Sequence, residues 1–237
     1  MKSFKLITVI SLFFLLHFQN SFSQQNEEYL TIFDSLIGKE NLPISNGLFH
    51  FNNFRINNNK DIYYGNEKFI KGSLDYLGQS YSELDLKYDA LNDELVYRPS
   101  GKSEKTGINI IKSNVSSFQI NGLKFINLDK KINESSKFIN GFYEEKIKNN
   151  YLSFYIKHYK SKREVFVNKN IFMEFNDETD FIIFKDNNYT KLTSKSTLSK
   201  IFPEKKKIIG DYYKNNSELK KKNKMLFFTN LLQNISQ

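Results

Sequence analysis

The chain has 237 residues, 35 Lys and Arg against 26 Asp and Glu for a formal net charge of +9, and no cysteine. Without cysteine it forms no disulfide and has no thiol nucleophile, so stability rests on buried apolar surface, which a chain of this length can supply. The apolar material is dominated by 23 Phe and 14 Tyr, which favours strands over helices.

The chain opens MKSFKLITVISLFFLLHFQNSFSQQ. Lys2 and Lys5 form a basic n-region, Leu6 to Leu16 an apolar run, and Ser21 and Ser23 place small residues three and one positions before a cut ahead of Gln24. That is the layout of a secretory signal peptide over residues 1–23. The run is shorter than the about 20 apolar residues a membrane-crossing helix needs. No cysteine follows it to carry a lipid anchor. Export places the mature chain in the periplasm or at the outer-membrane periphery.

Residues 24–66 read as a lead-in: a helix over 27–38 with Leu30, Ile32, Phe33, Leu36 and Ile37 near helical spacing and Gly38 as its stop, then Asn-rich loops around one short strand. From residue 67 to 193 the apolar period becomes two. "KFIKGSLDYLGQSYSELDLKYD" gives two strands around Gly78-Gln79, with Leu84, Leu86 and Tyr88 on one face and Glu83, Asp85 and Lys87 on the other. "DALND" turns the chain into "ELVYR", and residues 100–107 form a polar loop. Then come "INIIK", "VSSFQI" and "LKFINL", the last two joined by Asn121-Gly122, a strong two-residue hairpin signal. "GFYEEKIKNNYLSFYIKHYKSKRE" is a hairpin across Asn149-Asn150, and "NIFMEF" and "DFIIFKDNNYTKL" supply the last strands, turning at 186–188.

In residues 194–237 the period changes again. Ser194 or Ser196 caps a helix ending near Phe202, Pro203 opens a second with Ile208, Ile209 and Tyr212, and Ser217 caps a third with Met225, Phe228, Leu231, Leu232 and Ile235. This segment holds ten lysines against Glu204, Asp211 and Glu218, whereas residues 24–193 balance 23 basic with 23 acidic side chains. The expected fold is mainly β (α+β), an antiparallel meander or open barrel of about eight to ten strands followed by two or three C-terminal helices.

Chemistry-bearing patterns are sparse. Asp85, Asp89, Asp93 and Glu94 crowd one stretch, but they keep no calcium-loop rhythm, and Asp and Asn make turns by bonding their own backbone. Gly101-Lys102-Ser103 lacks the glycine that a phosphate loop needs at position 96, which is Val96. After export only His50 and His158 remain, in no zinc-type spacing. No G-x-S-x-G is present. No catalytic, cofactor or metal residue is therefore assigned. Tyr151, Tyr155 and Tyr159, at alternate strand positions, are half-buried strand residues before they are a sugar- or peptide-binding face. The lysine runs 204–209 and 219–225 solvate a docked helix or meet an anionic membrane surface or envelope protein. Nucleic acid is not expected, since arginine and stacking aromatics are scarce among the lysines.

The stretches 72–99, 117–128, 141–162 and 180–207 resemble, in that order, an uncharacterised family of exported proteins of Bacteroidota with a Y-x-G-x-x-Y-x-x-x-x-L-x-Y-D-x-x-x-D-E-L-V core. Tyr76, Gly78, Tyr81, Leu86, Tyr88, Asp89, Asp93, Glu94, Leu95 and Val96 keep that core. Leu77 stands where a Tyr-Asp-Gly turn is usual in the family. Gly141, Phe142, Tyr143, Lys185 and Asp186 keep two later motifs. The resemblance implies export and strands followed by lysine-rich helices, and it implies no activity. The expectation is a non-enzymatic periplasmic or envelope-associated binding or structural protein. The alternative is peripheral membrane attachment through the basic helices, and an envelope hydrolase ranks third.

Overall fold

The structure is a computed structural model and describes residues 42–103, 106–129 and 138–236. The expected signal peptide and the helix over 27–38 lie outside the described residues. Two compact units divide the chain, Met1–Asn46 and Gly47–Gln237. In the first, a 3-10 turn over Pro43–Ser45 is the described element.

The second unit is built on one antiparallel sheet of eleven strands. They are β1 (Leu48–Phe49), β2 (Ile70–Tyr76), β3 (Gln79–Asp89), β4 (Glu94–Arg98), β5 (Ile108–Asn109), β6 (Val115–Ile120), β7 (Leu123–Asn127), β8 (Phe142–Lys148), β9 (Ser153–Val167), β10 (Asn170–Lys185) and β11 (Asn188–Lys191). Their spatial order is β1-β5-β4-β3-β2-β6-β7-β8-β9-β10-β11. Helices α1 (Lys195–Ile201), α2 (Lys206–Asn215), α3 (Ser217–Lys222) and α4 (Lys224–Ile235) follow. The fold is the expected antiparallel meander finished by helices.

Tight turns set the register. Asn121-Gly122 and Asp186-Asn187 both have positive φ at the expected places, the conformation that matches strand twist. The second turn falls at Leu77-Gly78, one residue before the expected Gly78-Gln79. Between Gly72 and Leu74 the β2–β3 register shifts, and Glu83 takes a positive φ. This bulge resets the alternation, so Tyr81 and Leu84 are both buried although three positions apart.

The expected break between "NIFMEF" and "DFIIFKD" is absent. Residues 170–185 form one strand because β9 pairs with it residue for residue from Val167 to Ser153, turning at Asn168-Lys169. A full ladder overrides the weak strand propensity of Asn176 to Thr179.

The sheet curls until non-adjacent strands meet. Laid flat, β3 and β9 would stand about 24 Å apart, five strand spacings. Instead Tyr88 Oη lies 3.4 Å from the His158 carbonyl oxygen, and Lys160 N–H donates to the Ala90 carbonyl at 3.1 Å. That bond is open because β9 outruns β8, whose pairing stops at Glu144 and Ile156. The enclosed face carries Tyr88, Phe118, Phe125 and Phe142, with Phe118 and Phe125 stacked at 4.8 Å. His158 Nε2 lies 2.7 Å from Glu144 Oε2 on the same face, and Lys146 pairs with the other oxygen. Burial alone would raise the Glu144 pKa, but hydrogen bonds from His158 and Lys146 outweigh it and hold the carboxyl below its usual value.

The four helices pack on the Phe154 side of the last strands. Phe154, Ile156, Phe181 and Ile183 form one core with Leu198, Phe202, Ile209, Phe227, Leu231 and Leu232. Ser194 caps α1, its Oγ accepting from Thr197 N–H at 3.1 Å. The single helix expected from Ser217 onward is two. Asn223 interrupts it and caps α4, its Oδ1 accepting from Leu226 N–H at 2.9 Å, because an Asn side chain competes for backbone donors. Tyr151 also departs from expectation. It precedes β9 and turns to the helices, donating to Glu204 at 2.8 Å, whereas Tyr155 lies on the opposite face near Tyr189. No tyrosine ladder of three forms.

Phe227 is fully buried, so Phe227→Ala should lower unfolding free energy by about 3–5 kcal/mol. Lys221→Ala on the exposed face should stay within about 0.5 kcal/mol. Urea titration measures both. Because the folded Glu144 pKa is depressed below 4.5, its stabilisation is complete above that pH and is lost as pH falls through the folded value. The urea midpoint of Glu144→Gln should therefore depend less on pH below 4.5 than that of the parent.

Candidate functional site

The four-residue turn after β3 sends its carboxylates in different directions. Asp93 points to the enclosed face: Oδ1 accepts from Tyr88 Oη at 2.6 Å, and Oδ2 pairs with Lys157 Nζ at 2.8 Å and with Lys112. Asp89 is fully buried and braces its own turn. Oδ1 accepts from Leu91 N–H and Asn92 N–H at 3.0 Å each, and Oδ2 from Asn92 Nδ2 at 2.8 Å. This is the turn chemistry expected of Asp. Asp89 and Glu94 are direct cross-strand partners and so share a face.

That face was expected to meet water, and it does not. The segment that follows β1 crosses over it, and Lys87 is buried beside Asp89. Residues 62–64 pair with the end of β3 where β2 has stopped: Tyr64 N–H donates to the Tyr88 carbonyl and Ala90 N–H to the Ile62 carbonyl, both at 2.9 Å. His50 is held by its N–H to the Gly107 carbonyl at 2.9 Å. A Cβ on Gly107 would sit 2.6 Å from Val96 Cγ1 and 3.3 Å from His50 Cβ, so only glycine lets the histidine come this close.

The His50 ring is fixed on both sides. Nδ1 lies 2.7 Å from Asn109 Oδ1, and Nε2 lies 2.7 Å from Tyr63 Oη. Asn109 Nδ2 donates to Glu94 Oε2 at 2.6 Å, which orients the amide. Its oxygen can only accept, so Nδ1 carries the proton and Nε2 accepts from the Tyr63 hydroxyl. Burial lowers the His50 pKa, opposed by the Asn109 hydrogen bond and Asp89. Burial raises that of Glu94, and the charge of Asp89 adds to it. One His50 ring nitrogen, one Asp89 oxygen and one Glu94 oxygen lie within 4.8 Å of one another. Metal-ligating groups that sequence spacing left apart are thus gathered by the fold.

Beside this cluster opens a cleft of about 890 Å³, lined by His50, Phe51, Asn52, Asn53, Tyr63, Glu67, Lys68, Phe69 and Lys87. Lys87 Nζ sits 4.0 Å from the Tyr63 ring centroid and 4.5 Å from that of Phe69. Phe51 is 75% exposed, an aromatic face offered to solvent.

His158 does not join His50; it belongs to the enclosed face with Glu144. The Gly101-Lys102-Ser103 stretch is an exposed loop after β4. The cleft was missed because five of its nine described lining residues, His50 to Asn53 and Tyr63, come from the Asn-rich lead-in, which has no periodicity to read. The one available signal was the Asp89/Glu94 pair flanking a four-residue turn. Among the described residues no helix is long and apolar enough to cross a membrane. No family model, curated protein or solved structure matches the chain.

Asn109 joins His50 to Glu94, so Asn109→Ala should leave two buried groups short of a partner. The expected cost is about 1–3 kcal/mol per orphaned group, read from chemical unfolding. Asn188→Ala in the exposed β10–β11 turn serves as the neutral comparison.

Proposed function

We propose that this chain is an exported, envelope-associated protein that binds a saccharide in the cleft beside His50 and does not turn it over. The observation that carries the reading is the cleft's composition. Phe51 and Phe69 supply aromatic faces on which the apolar side of a sugar ring stacks, Tyr63 lines the floor, and Asn52, Asn53, Glu67 and Lys87 supply donors and acceptors for its hydroxyls. Its volume falls in the range of small-molecule sites, about 300–1,000 Å³. Glu67 is the one carboxylate among the described residues lining it, whereas glycoside hydrolysis ordinarily takes a pair across the scissile bond, and the nearby His50 ring is engaged on both nitrogens. Both facts support binding over hydrolysis. Export is supported by the basic, apolar and small-residue order of residues 1–23.

A second reading keeps the anionic surface as partner but changes its physics. Phe227, Phe228, Leu231 and Leu232 are buried against the sheet, so the apolar stripe of the last helix is not available for insertion. What remains is an exposed lysine face including Lys206, Lys207, Lys221 and Lys222, and attachment through it would be electrostatic and removed by salt.

The test of the first reading is an NMR titration with a panel of mono- and oligosaccharides. Shift changes should cluster at Phe51, Tyr63 and Phe69, weaken at least about tenfold in Phe69→Ala, and leave the sugar's mass unchanged. A silent panel, changes mapping elsewhere, or a cleaved sugar would each reject it.

A further inference from the structure

We propose that His50, Asp89 and Glu94 form a binding site for a first-row divalent cation, with zinc and manganese the best fits. The site adjoins the cleft through His50 and stands whether or not the cleft takes a saccharide.

The first argument is charge. Asp89 and Glu94 oppose each other across the β3–β4 ladder, an arrangement that destabilises when both are ionised. Elsewhere this protein answers buried or half-buried carboxylates with cations: Asp85 has Arg98, Asp93 has Lys112 and Lys157, and Glu144 has Lys146. Among the described residues no direct ion pair joins either Asp89 or Glu94 to a lysine or arginine, although Lys87 is buried beside Asp89 and the charge of Lys112, which pairs with Asp93, acts on Glu94. Two neighbouring carboxylates, one of them fully buried, thus lie beside the His50 imidazole with no cation in direct contact.

The second argument is geometry. Donors about 2.0–2.2 Å from a shared ion stand about 3 to 3.5 Å from one another. The three donor atoms already lie within 4.8 Å, so small side-chain adjustments bring them to that spacing. Asp89 is held by its turn. Asn109 holds both His50 and Glu94, the outer support that ligating residues usually have. Glu94 Oε1 accepts no hydrogen bond among the described residues, because Asn109 bonds Oε2. On binding, one ring nitrogen exchanges Asn109 or Tyr63 for the ion, and the other partner keeps the ring oriented.

The third argument is donor type. An imidazole with two carboxylates suits zinc, manganese or iron, while calcium prefers an all-oxygen shell. Three protein donors leave a coordination position for water or for a hydroxyl of a ligand in the cleft.

The experiment uses the full mature chain, stripped with chelator and titrated with Co²⁺ and Zn²⁺. One equivalent of Co²⁺ should produce visible d–d absorption that Zn²⁺ displaces, and Zn²⁺ should raise Tm. Glu94→Gln, which keeps the side chain's volume, should weaken Co²⁺ at least about 100-fold, beyond the about 10–100-fold typical of losing an outer support. Should that variant not fold, spin-echo modulation of Mn²⁺ bound to the parent protein reports directly whether an imidazole nitrogen is a ligand. Absence of the Co²⁺ band, equal affinity in Glu94→Gln, or a Mn²⁺ signal without nitrogen would each overturn the site. Saccharide titration of the metal-free and Zn²⁺-loaded protein keeps this result separate from the cleft reading.

Discussion

The curled sheet depends on one carboxylate. Asp93, in the turn after β3, accepts the Tyr88 hydroxyl, pairs with Lys157 of β9 and with Lys112 of the 3-10 turn before β6, and takes the Phe142 N–H of β8 at 3.4 Å. Strands far apart in sheet order are joined at that point. Asp93 is half-buried, and a charge partly withdrawn from water depends on keeping its partners. Burial also pulls the Lys157 pKa down, with Asp93 opposing. Gly141 follows from the same constraint: its φ is positive, and a Cβ there would lie 1.6 Å from Asp93 Oδ2.

Closure at Asp93 also decides what the outer face of the turn can do. With the Ala90 carbonyl fixed to Lys160 N–H and Tyr88 tied to Asp93, the ends of β3 and β4 cannot splay to relieve the repulsion between Asp89 and Glu94. The two carboxylates stay opposed, and His50, Asn109 and Tyr63 are built around them. The rigid side of the turn thus supplies the fixed geometry that a cleft or an ion would use on the other side.

Much of the sheet was legible because its determinants are local. Asn121-Gly122 and Asp186-Asn187 name their own turns, Ser194 its own helix start, and Leu84, Leu86 and Tyr88 their own face. What failed depended on distant partners. Asn176 to Thr179 read as a loop until β9 ran alongside, and Tyr151 read as strand although its ring finds Phe202 and Glu204 in the helices. The candidate site was the least legible. Asp85, Lys87 and Asp89 alternate as a solvated face should, and only the crossing of the Asn-rich segment turns that face inward. Nothing in the spacing of His50 to Phe69 encodes that crossing, since its contacts are hydrogen bonds to backbone groups of other strands.

That same segment differs in mechanical character from the sheet it covers. β9 and β10 share a continuous ladder, whereas residues 50–64 are held by isolated bonds: His50 to Gly107, Arg55 to Met173, Asn57 to Met173, and the short pairing at Ile62 to Tyr64. Free energy of local opening tracks the density of such bonds and of buried contacts. The wall carrying Phe51, Asn52 and Asn53 therefore opens at lower cost than the strands carrying Lys87, Asp89 and Glu94. A ligand entering the proposed cleft would move the yielding wall and leave the closure at Asp93 in place, because among the described residues the two walls meet through His50, Tyr63 and the pairing of residues 62–64. Occupancy of the proposed cleft would reach the two carboxylates behind it through the bonds of His50 to Asn109 and Tyr63.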